Sequence, residues 1–315
     1  MRKTAKVMII VLCVVVSLLI VGLLIAGNYM FKFALDSLSE KDLLQDATEE
    51  NGAVELSPVE KWFFGQAQNE VITSFDGLKL QAYYLPSEYS SDSFVVLVHG
   101  YKSSAGTMAS FAHHYHQQGF NVLVPNLRAH GLSEGRYIGM GYLDHYDILD
   151  WIDVLLKKNP TAQILLHGIS MGAATVMILS GQENIPSNIK AIVEDCGYTS
   201  INNQFALQLK TLFGLPPVPL LQVGSLVSKV RAGFYFGDGD CVAAVARSKI
   251  PTLFIHGQED TFVPFLMLDV LYESAACPKQ KLVMPNAEHA EALDSNPELY
   301  WATVDTFAKK YFPVE

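Results

Sequence analysis

The sequence is short of cysteine, with four in 315 residues and none in a CxxC pair. Cys13 lies in an apolar run, leaving Cys196, Cys241 and Cys277. That odd set excludes a disulfide framework and a zinc site, and leaves room for at most one bridge in an oxidising exterior. Positive charge is scarce as well: 22 Lys and Arg stand against 32 Asp and Glu, a net charge of −10. So acidic a chain, with no basic patch, repels phosphate backbones and excludes a nucleic-acid partner. Internal repeats and low-complexity tracts are also missing, which excludes a repeat architecture.

Charge is absent altogether from one stretch. From Val7 to Ala26 every residue is apolar, Gly, Cys or Ser, close to the ~20 residues a helix needs to cross a bilayer. No polar face interrupts the run, as it would in a helix packed on a soluble core. Arg2, Lys3 and Lys6 precede it, whereas Lys32 and Lys41 after it are mixed with Asp36, Glu40 and Asp42. This bias predicts a cytoplasmic N-terminus. Residues 1–30 therefore read as a cytoplasmic tip and a single-pass signal anchor in the cell membrane, with the rest of the chain extracytoplasmic. A cleaved secretory signal is the alternative, although its apolar region usually runs about 7–15 residues. Residues 31–58 read as a polar connector, and 59–315 as one catalytic-size α/β domain.

What is there begins with two strand-like runs, "VITSF" and "LKLQAYYL", around Asp76-Gly77, a hairpin signal because such turns need positive φ. Six short apolar runs follow: "FVVLVHG", "FNVLVPN", "QILLHG", "IKAIVED", "TLFIHG" and "QKLVMP". Their near-continuous hydrophobicity suits parallel strands buried on both faces. Helix-length stretches such as Thr107 to Gln118 and Tyr146 to Lys158 separate them, so the pattern predicts a mostly parallel, doubly wound eight-stranded α/β sheet. The spacing breaks once, between "IVEDCGYTS" and "TLFIHG", where about 201–249 exceeds what one crossover requires. Its first half is rich in Leu, Phe, Val and Pro, which predicts a helical lid with an apolar underside.

The stretch His167-Gly168-Ile169-Ser170-Met171-Gly172 ends a buried strand and opens a helix. A G-x-S-x-G pattern alone is weak, but this setting is the one that lifts a serine oxygen above the sheet's carboxyl edge. Ser170 is the candidate nucleophile. A serine hydroxyl needs a base within hydrogen-bond reach, itself oriented by a carboxylate. Asp260 and Glu259 follow the "TLFIHG" strand and His289 follows "QKLVMPNA", so Ser170, Asp260 and His289 come in the chain order this strand-turn-helix setting requires. Placement favours Asp260 over its neighbour, and Asp195 at the end of "AIVED" stays open as another carboxylate. The tetrahedral oxyanion would meet two backbone N–H groups, those of Met171 and Tyr101.

Among nine histidines, His99, His167 and His256 sit before glycines at strand ends and read as packed residues, while His113, His114 and His116 share a surface helix. Asp144, Asp147, Asp150 and Asp153 recur every third residue and drift around a helix, which predicts a solvated face. Trp151, Ile148, Ile152 and Leu155 read as core. Arg128 reads as a partner for a carboxylate.

"HGYKSS", "NLRAHGLSEG", "GISMGAAT", "HGQED" and "EHAE", in that order, together resemble the α/β-hydrolase superfamily, and more narrowly its membrane-anchored bacterial serine hydrolases related to serine aminopeptidases and prolyl-oligopeptidase-like enzymes. The resemblance implies a Ser170–Asp260–His289 triad and a serine hydrolase that needs neither metal nor cofactor. Many relatives carry Asp and Gly where this chain has Asn126 and Ala129, positions that read as scaffold. The apolar lid favours small-molecule carboxylic esters with an apolar acyl group. A serine peptidase and a noncatalytic ligand-binding surface protein on the same scaffold are the alternatives, since this fold hosts many functions.

Overall fold

The structure, a computed structural model, describes residues 2–37 and 55–312. Its sheet contains β1 (Gln68–Thr73), β2 (Lys79–Leu85), β3 (Ser93–Val98), β4 (Asn121–Pro125), β5 (Gln163–Ile169), β6 (Ile189–Asp195), β7 (Thr252–Gly257) and β8 (Lys279–Met284). Their order is β1-β2-β4-β3-β5-β6-β7-β8. The expected hairpin joins β1 and β2, with Gly77 supplying the positive φ of its turn. β2 also pairs antiparallel with β4, and every later pairing is parallel. The chain steps from β3 to β4 on one side, then returns to place β5 on the other. That reversal opens a crevice at the carboxyl ends of β3 and β5, where ligands of open α/β sheets bind.

Successive strand residues point to opposite faces, and here both faces are dry. Val96, Val98, Leu166 and Ile192 face one layer, packed with α4 (Asp144–Lys158), α5 (Met171–Ser180), α8 (Cys241–Arg247) and α9 (Leu266–Ser274). Val95, Leu97, Leu165 and Val193 face the other, covered by α2 (Pro58–Gln66), α3 (Ala109–Gln117) and α11 (Pro297–Ala308), with short α10 (Ala292–Ser295) beside it. Every residue of α5 is buried, so this central helix holds the segment after Ser170 rigidly. Cys196, Cys241 and Cys277 are buried free thiols.

α1 (Arg2–Leu35) is a single 34-residue helix, long and apolar enough to cross a membrane. It does not stop where the connector was expected to begin. Residues 31–35 form its last turn, and Phe31 and Leu35 are buried in the core of the α/β domain. Burial of two large side chains, each about 1.5–3 kcal/mol, carries the helix past the polar boundary read from composition. The remainder of the expected connector, 38–54, lies outside the described residues.

The break before β7 holds α6 (Ile201–Phe213) and α7 (Leu220–Ala232). The helix after them, α8, packs against α5 as an ordinary crossover, so the cap is narrower than the whole 201–249 stretch. α7 crosses α1 where Gly27 lies so close that an added Cβ would fall 2.5 Å from Val223 Cγ1.

The acidic series on α4 is not a solvated face. Asp144 and Asp147 are buried, Asp150 is half-buried and only Asp153 is exposed. Asp147 grips the buried Arg128 guanidinium through two contacts of 2.6 and 2.7 Å, while Asp76 takes its other edge at 2.9 Å. A helical spacing cannot reveal a cation supplied by a loop distant in the chain.

Candidate active site

Ser170 sits between β5 and α5 with φ 56° and ψ −112°. A non-glycine residue with that φ is strained and persists only when its surroundings impose it. They do so through the glycines on either side. A Cβ at Gly168 would collide with the Gly172 carbonyl, and one at Gly172 with the Val98 carbonyl. The Ser170 N–H donates to the Asp195 carbonyl at 2.8 Å, tying the turn to β6.

The loop after β8 brings His289 over this turn, with its Nε2 2.9 Å from Ser170 Oγ. Its Nδ1 is 2.7 Å from Asp260 Oδ2, so the ring is oriented with Nδ1 as donor and Nε2 facing the hydroxyl. Asp260 lies in the loop after β7, where its Oδ1 accepts from the N–H groups of Phe262 and Val263 at 3.0 and 2.8 Å. Burial alone would raise the Asp260 carboxyl. Hydrogen bonds from His256 and His289 outweigh it and hold the group down at about 2, so it stays ionised.

Met171 is the first residue of α5 with Ser170 as its N-cap, so its N–H has no acceptor within the helix and points, with the helix dipole, toward the serine oxygen's side. Tyr101 follows β3 on the facing loop, and both residues border the same cavity as Ser170. Two histidines pin that loop. His99 bonds the Gly100 carbonyl through Nδ1 at 2.8 Å and takes the Leu127 N–H on Nε2 at 3.0 Å, and His130 Nε2 accepts from Lys102 N–H at 3.1 Å. Burial pushes the His99 ring down to about 3, so it stays neutral and keeps one donor and one acceptor.

The other candidates go elsewhere. Glu259 is exposed. Asp195 accepts from Tyr300 OH at 2.8 Å, and that hydroxyl lies 3.1 Å from His167 Nε2, a network below the turn. His114 stacks on Trp301 and pairs with Asp305 at 2.9 Å. Asn126 is scaffold, its Oδ1 accepting from Ala105 N–H at 2.8 Å. His256 is packed as expected, buried with Nε2 2.8 Å from the Val263 carbonyl, but sequence reasoning did not foresee that the same atom lies 3.3 Å from Asp260 Oδ2. Its place at the end of β7, four residues before Asp260, was the available signal.

Comparison with known proteins follows the same outline. Residues 89–216 match the serine aminopeptidase S33 family. YqkD of Bacillus subtilis is 27% identical over 252 residues, covering 76% of this chain and 82% of its own. WAV2 of Arabidopsis thaliana, an α/β-hydrolase domain-containing protein, is 28% identical over 200 residues, 61% of this chain and 62% of its own. The esterase Pf2001 of Pyrococcus furiosus superposes with a TM-score of 0.66 at 24% identity, covering 82% of this chain and 96% of its own. The chain has the α/β-hydrolase fold.

Ser170 stands at the sheet's switch point and borders two spaces. Under the cap is a cavity of about 250 Å³, bordered by Met140, Tyr198, Phe205, Leu209 and Leu221 and closed on one side by α1. Opposite is a larger cleft of about 680 Å³, bordered by Ser103, Thr107, Ser110, His289 and Asp294. Ligand atoms of Cys196, Asp260 and His289 lie within 4.8 Å of one another. Burial raises the Cys196 thiol well above its ordinary range, however, and the Asp260 and His289 donors are engaged with each other, so this hydrolase site is poorly suited to a metal.

Proposed function

We propose that the protein is a membrane-anchored serine hydrolase that cleaves carboxylic esters through an acyl-enzyme. The observation that carries this reading is the continuous chain from Ser170 Oγ to His289 Nε2 at 2.9 Å and from His289 Nδ1 to Asp260 at 2.7 Å. Ser170 Oγ attacks the ester carbonyl carbon while His289 takes its proton. The Met171 and Tyr101 N–H groups hold the oxyanion. Collapse breaks the bond to the alcohol oxygen, which leaves with the proton from His289. Water, deprotonated by the same ring, then attacks the acyl-enzyme and releases the carboxylic acid and Ser170. Asp260 remains a carboxylate throughout and stabilises the imidazolium.

The cavity under the cap is bordered mostly by apolar side chains, Met140, Phe205, Leu209 and Leu221 among them, which suit an apolar acyl chain better than the charged terminus of an aminoacyl group. That favours esters. The match to serine aminopeptidases over 89–216 keeps aminoacyl amides as the second reading. Arg2, Lys3 and Lys6 ahead of the apolar run support a cytoplasmic N-terminus with the catalytic domain outside, and the seating of Gly27 against α7 supports a retained anchor over a removed leader. The test is a panel of p-nitrophenyl esters of increasing acyl length beside aminoacyl p-nitroanilides, on wild type and Ser170→Ala. Ester turnover and fluorophosphonate labelling are expected in wild type alone. Equal turnover in both proteins would overturn the mechanism, and faster amide than ester cleavage would select the peptidase.

A further inference from the structure

The membrane helix is more than a tether. Met30, Phe31, Phe33 and Ala34, at the i, i+1, i+3 and i+4 positions of one helical face, border the same cavity as Ser170 and Met171. Several contacts hold that face in place. The Tyr101 hydroxyl, from the loop beside the serine, donates to the Ala34 carbonyl at 2.7 Å. The Ile138 N–H bonds the Leu35 carbonyl at 2.9 Å, Arg136 pairs with Asp36 at 3.1 Å, and Arg231 of α7 donates to the Asn28 side chain at 2.6 Å. Phe33 meets Phe213 of α6 edge-on at 5.5 Å. One wall of the cavity is therefore the end of the anchor itself.

Distance along the helix sets where that wall stands. The bilayer-length run ends at Ala26, and Met30 is four residues further, about 6 Å at 1.5 Å per residue. The headgroup layer on each side of a hydrocarbon core is of similar depth, roughly 5–8 Å. The cavity wall thus begins at headgroup level. The cap beside it is unusually apolar outside: Val230 is 79% exposed, Val218 66% and Leu212 59%. Exposed apolar surface can mark a membrane or partner side, and this cap packs on α1, whose apolar side chains between Val7 and Ile25 are mostly exposed among the described residues. On the far side of Ser170, the cleft with Ser103, Thr107, Ser110 and Asp294 offers polar groups suited to a hydrophilic leaving alcohol.

We infer that α1 forms the membrane-side wall of the acyl site, and that the substrate is a bilayer amphiphile, a carboxylic ester of one fatty acyl chain and a polar, uncharged or cationic alcohol, which enters sideways from the leaflet. This rests on the ester-hydrolase reading above. The acyl chain slides along α1 under the cap, the alcohol lies in the second cleft beside Ser103, Thr107, Ser110 and Asp294, and water cleavage releases a fatty acid and the alcohol. The cavity of about 250 Å³ is just below the range of small-molecule sites, roughly 300–1,000 Å³, which suits one chain and not two.

The test uses the full-length protein in phosphatidylcholine vesicles with 4-methylumbelliferyl palmitate and butyrate. Ala34→Trp fills the cavity from α1 while keeping the backbone carbonyl that Tyr101 bonds; Leu18→Trp places the same ring in the bilayer run, away from the wall. The palmitate-to-butyrate rate ratio is expected to fall at least tenfold in Ala34→Trp and to stay within about twofold in Leu18→Trp. An unchanged ratio in a fluorophosphonate-reactive Ala34→Trp overturns the wall. Should that variant lose reactivity, Ala34→Leu is read the same way, with a smaller fall expected. In a second arm, palmitate ester in the enzyme's own vesicles is expected to be cleaved at least tenfold faster than in separate vesicles during the first minutes, and equal rates overturn lateral access. Failure of wild type to react with fluorophosphonate sinks the hydrolase reading instead.

Discussion

The two sides of Ser170 are built from different material. On one side, strand ends and short loops hold Asp260, His289 and Met171 among buried groups, with hydrogen bonds of 2.7–3.0 Å fixing each donor and acceptor. On the other side, three helices with exposed apolar side chains, α1, α6 and α7, enclose a space lined by hydrocarbon. Directional bonds in a water-poor setting hold reacting atoms to a fraction of an ångström, which is what charge stabilisation in a transition state needs. Non-directional apolar packing tolerates variation in shape and length, which is what an acyl chain needs. In the proposed reading, chemistry and substrate selection fall to separate regions that meet at a single oxygen.

The comparison breaks most directly at that oxygen. Ser170→Ala is expected to lower ester kcat by a factor on the order of 10⁶, measured with p-nitrophenyl butyrate, and leave the thermal unfolding temperature nearly unchanged. A variant retaining a tenth of wild-type turnover would mean that the two regions do not meet there. Next in size, Asp260→Asn should cost about 10⁴ in kcat, because the amide favours the wrong imidazole tautomer. Glu259→Gln and Asp195→Asn should each cost less than tenfold. A larger loss for Asp195→Asn than for Asp260→Asn would transfer the orienting role to β6.

Away from the reacting atoms the effects fall on stability. The Arg128 guanidinium is 3% exposed and its partner on Asp147 2%, so Arg128→Met leaves a buried carboxylate without a counter-charge. A loss of about 3–5 kcal/mol is expected by denaturant unfolding, and a loss under 1 kcal/mol would show that water already reaches the pair.

The smallest expected effect concerns pH. Burial raises the Glu194 carboxyl to about 8, against the pull of His256 and of the Gly197 N–H. A carboxyl whose folded pKa exceeds its unfolded one is held neutral by the fold, so its contribution is full below the unfolded value and is lost as pH rises toward about 8. Asp195, raised by burial to about 6, acts in the same direction over a lower range. Asp260 acts oppositely: its contribution is lost as pH falls below the ordinary aspartate value toward about 2. The unfolding temperature should therefore drop between about pH 5 and pH 8, and Glu194→Gln should flatten that drop by several degrees. An identical slope in the variant would relocate the titration.

Much of this was legible in one dimension where a local rule applied. The G-x-S-x-G turn, the Asp-Gly hairpin and the apolar strands all carry short-range signals, because turn sterics and two-sided burial act within a few residues. The contacts of His256 and Glu194 were missed since a histidine before a glycine and a glutamate before an aspartate look like strand-end residues. Only β6 and β7 lying side by side brings Glu194 near His256. The burial of Asp144 and Asp147 was missed for a related reason: their spacing describes a helix surface, and Arg128 reaches it from a loop after β4.

The sequence by itself determined the sheet's strand content, the membrane-length helix, and the serine, aspartate and histidine in their order, because backbone sterics, hydrophobic run length and side-chain chemistry are properties of short segments. The tertiary structure alone decided that His289 stands over Ser170, that the glycines flanking the serine have no room for a side chain, and that the end of α1 closes the cavity. Those are contacts between residues far apart in the chain, and their geometry comes from how the layers pack.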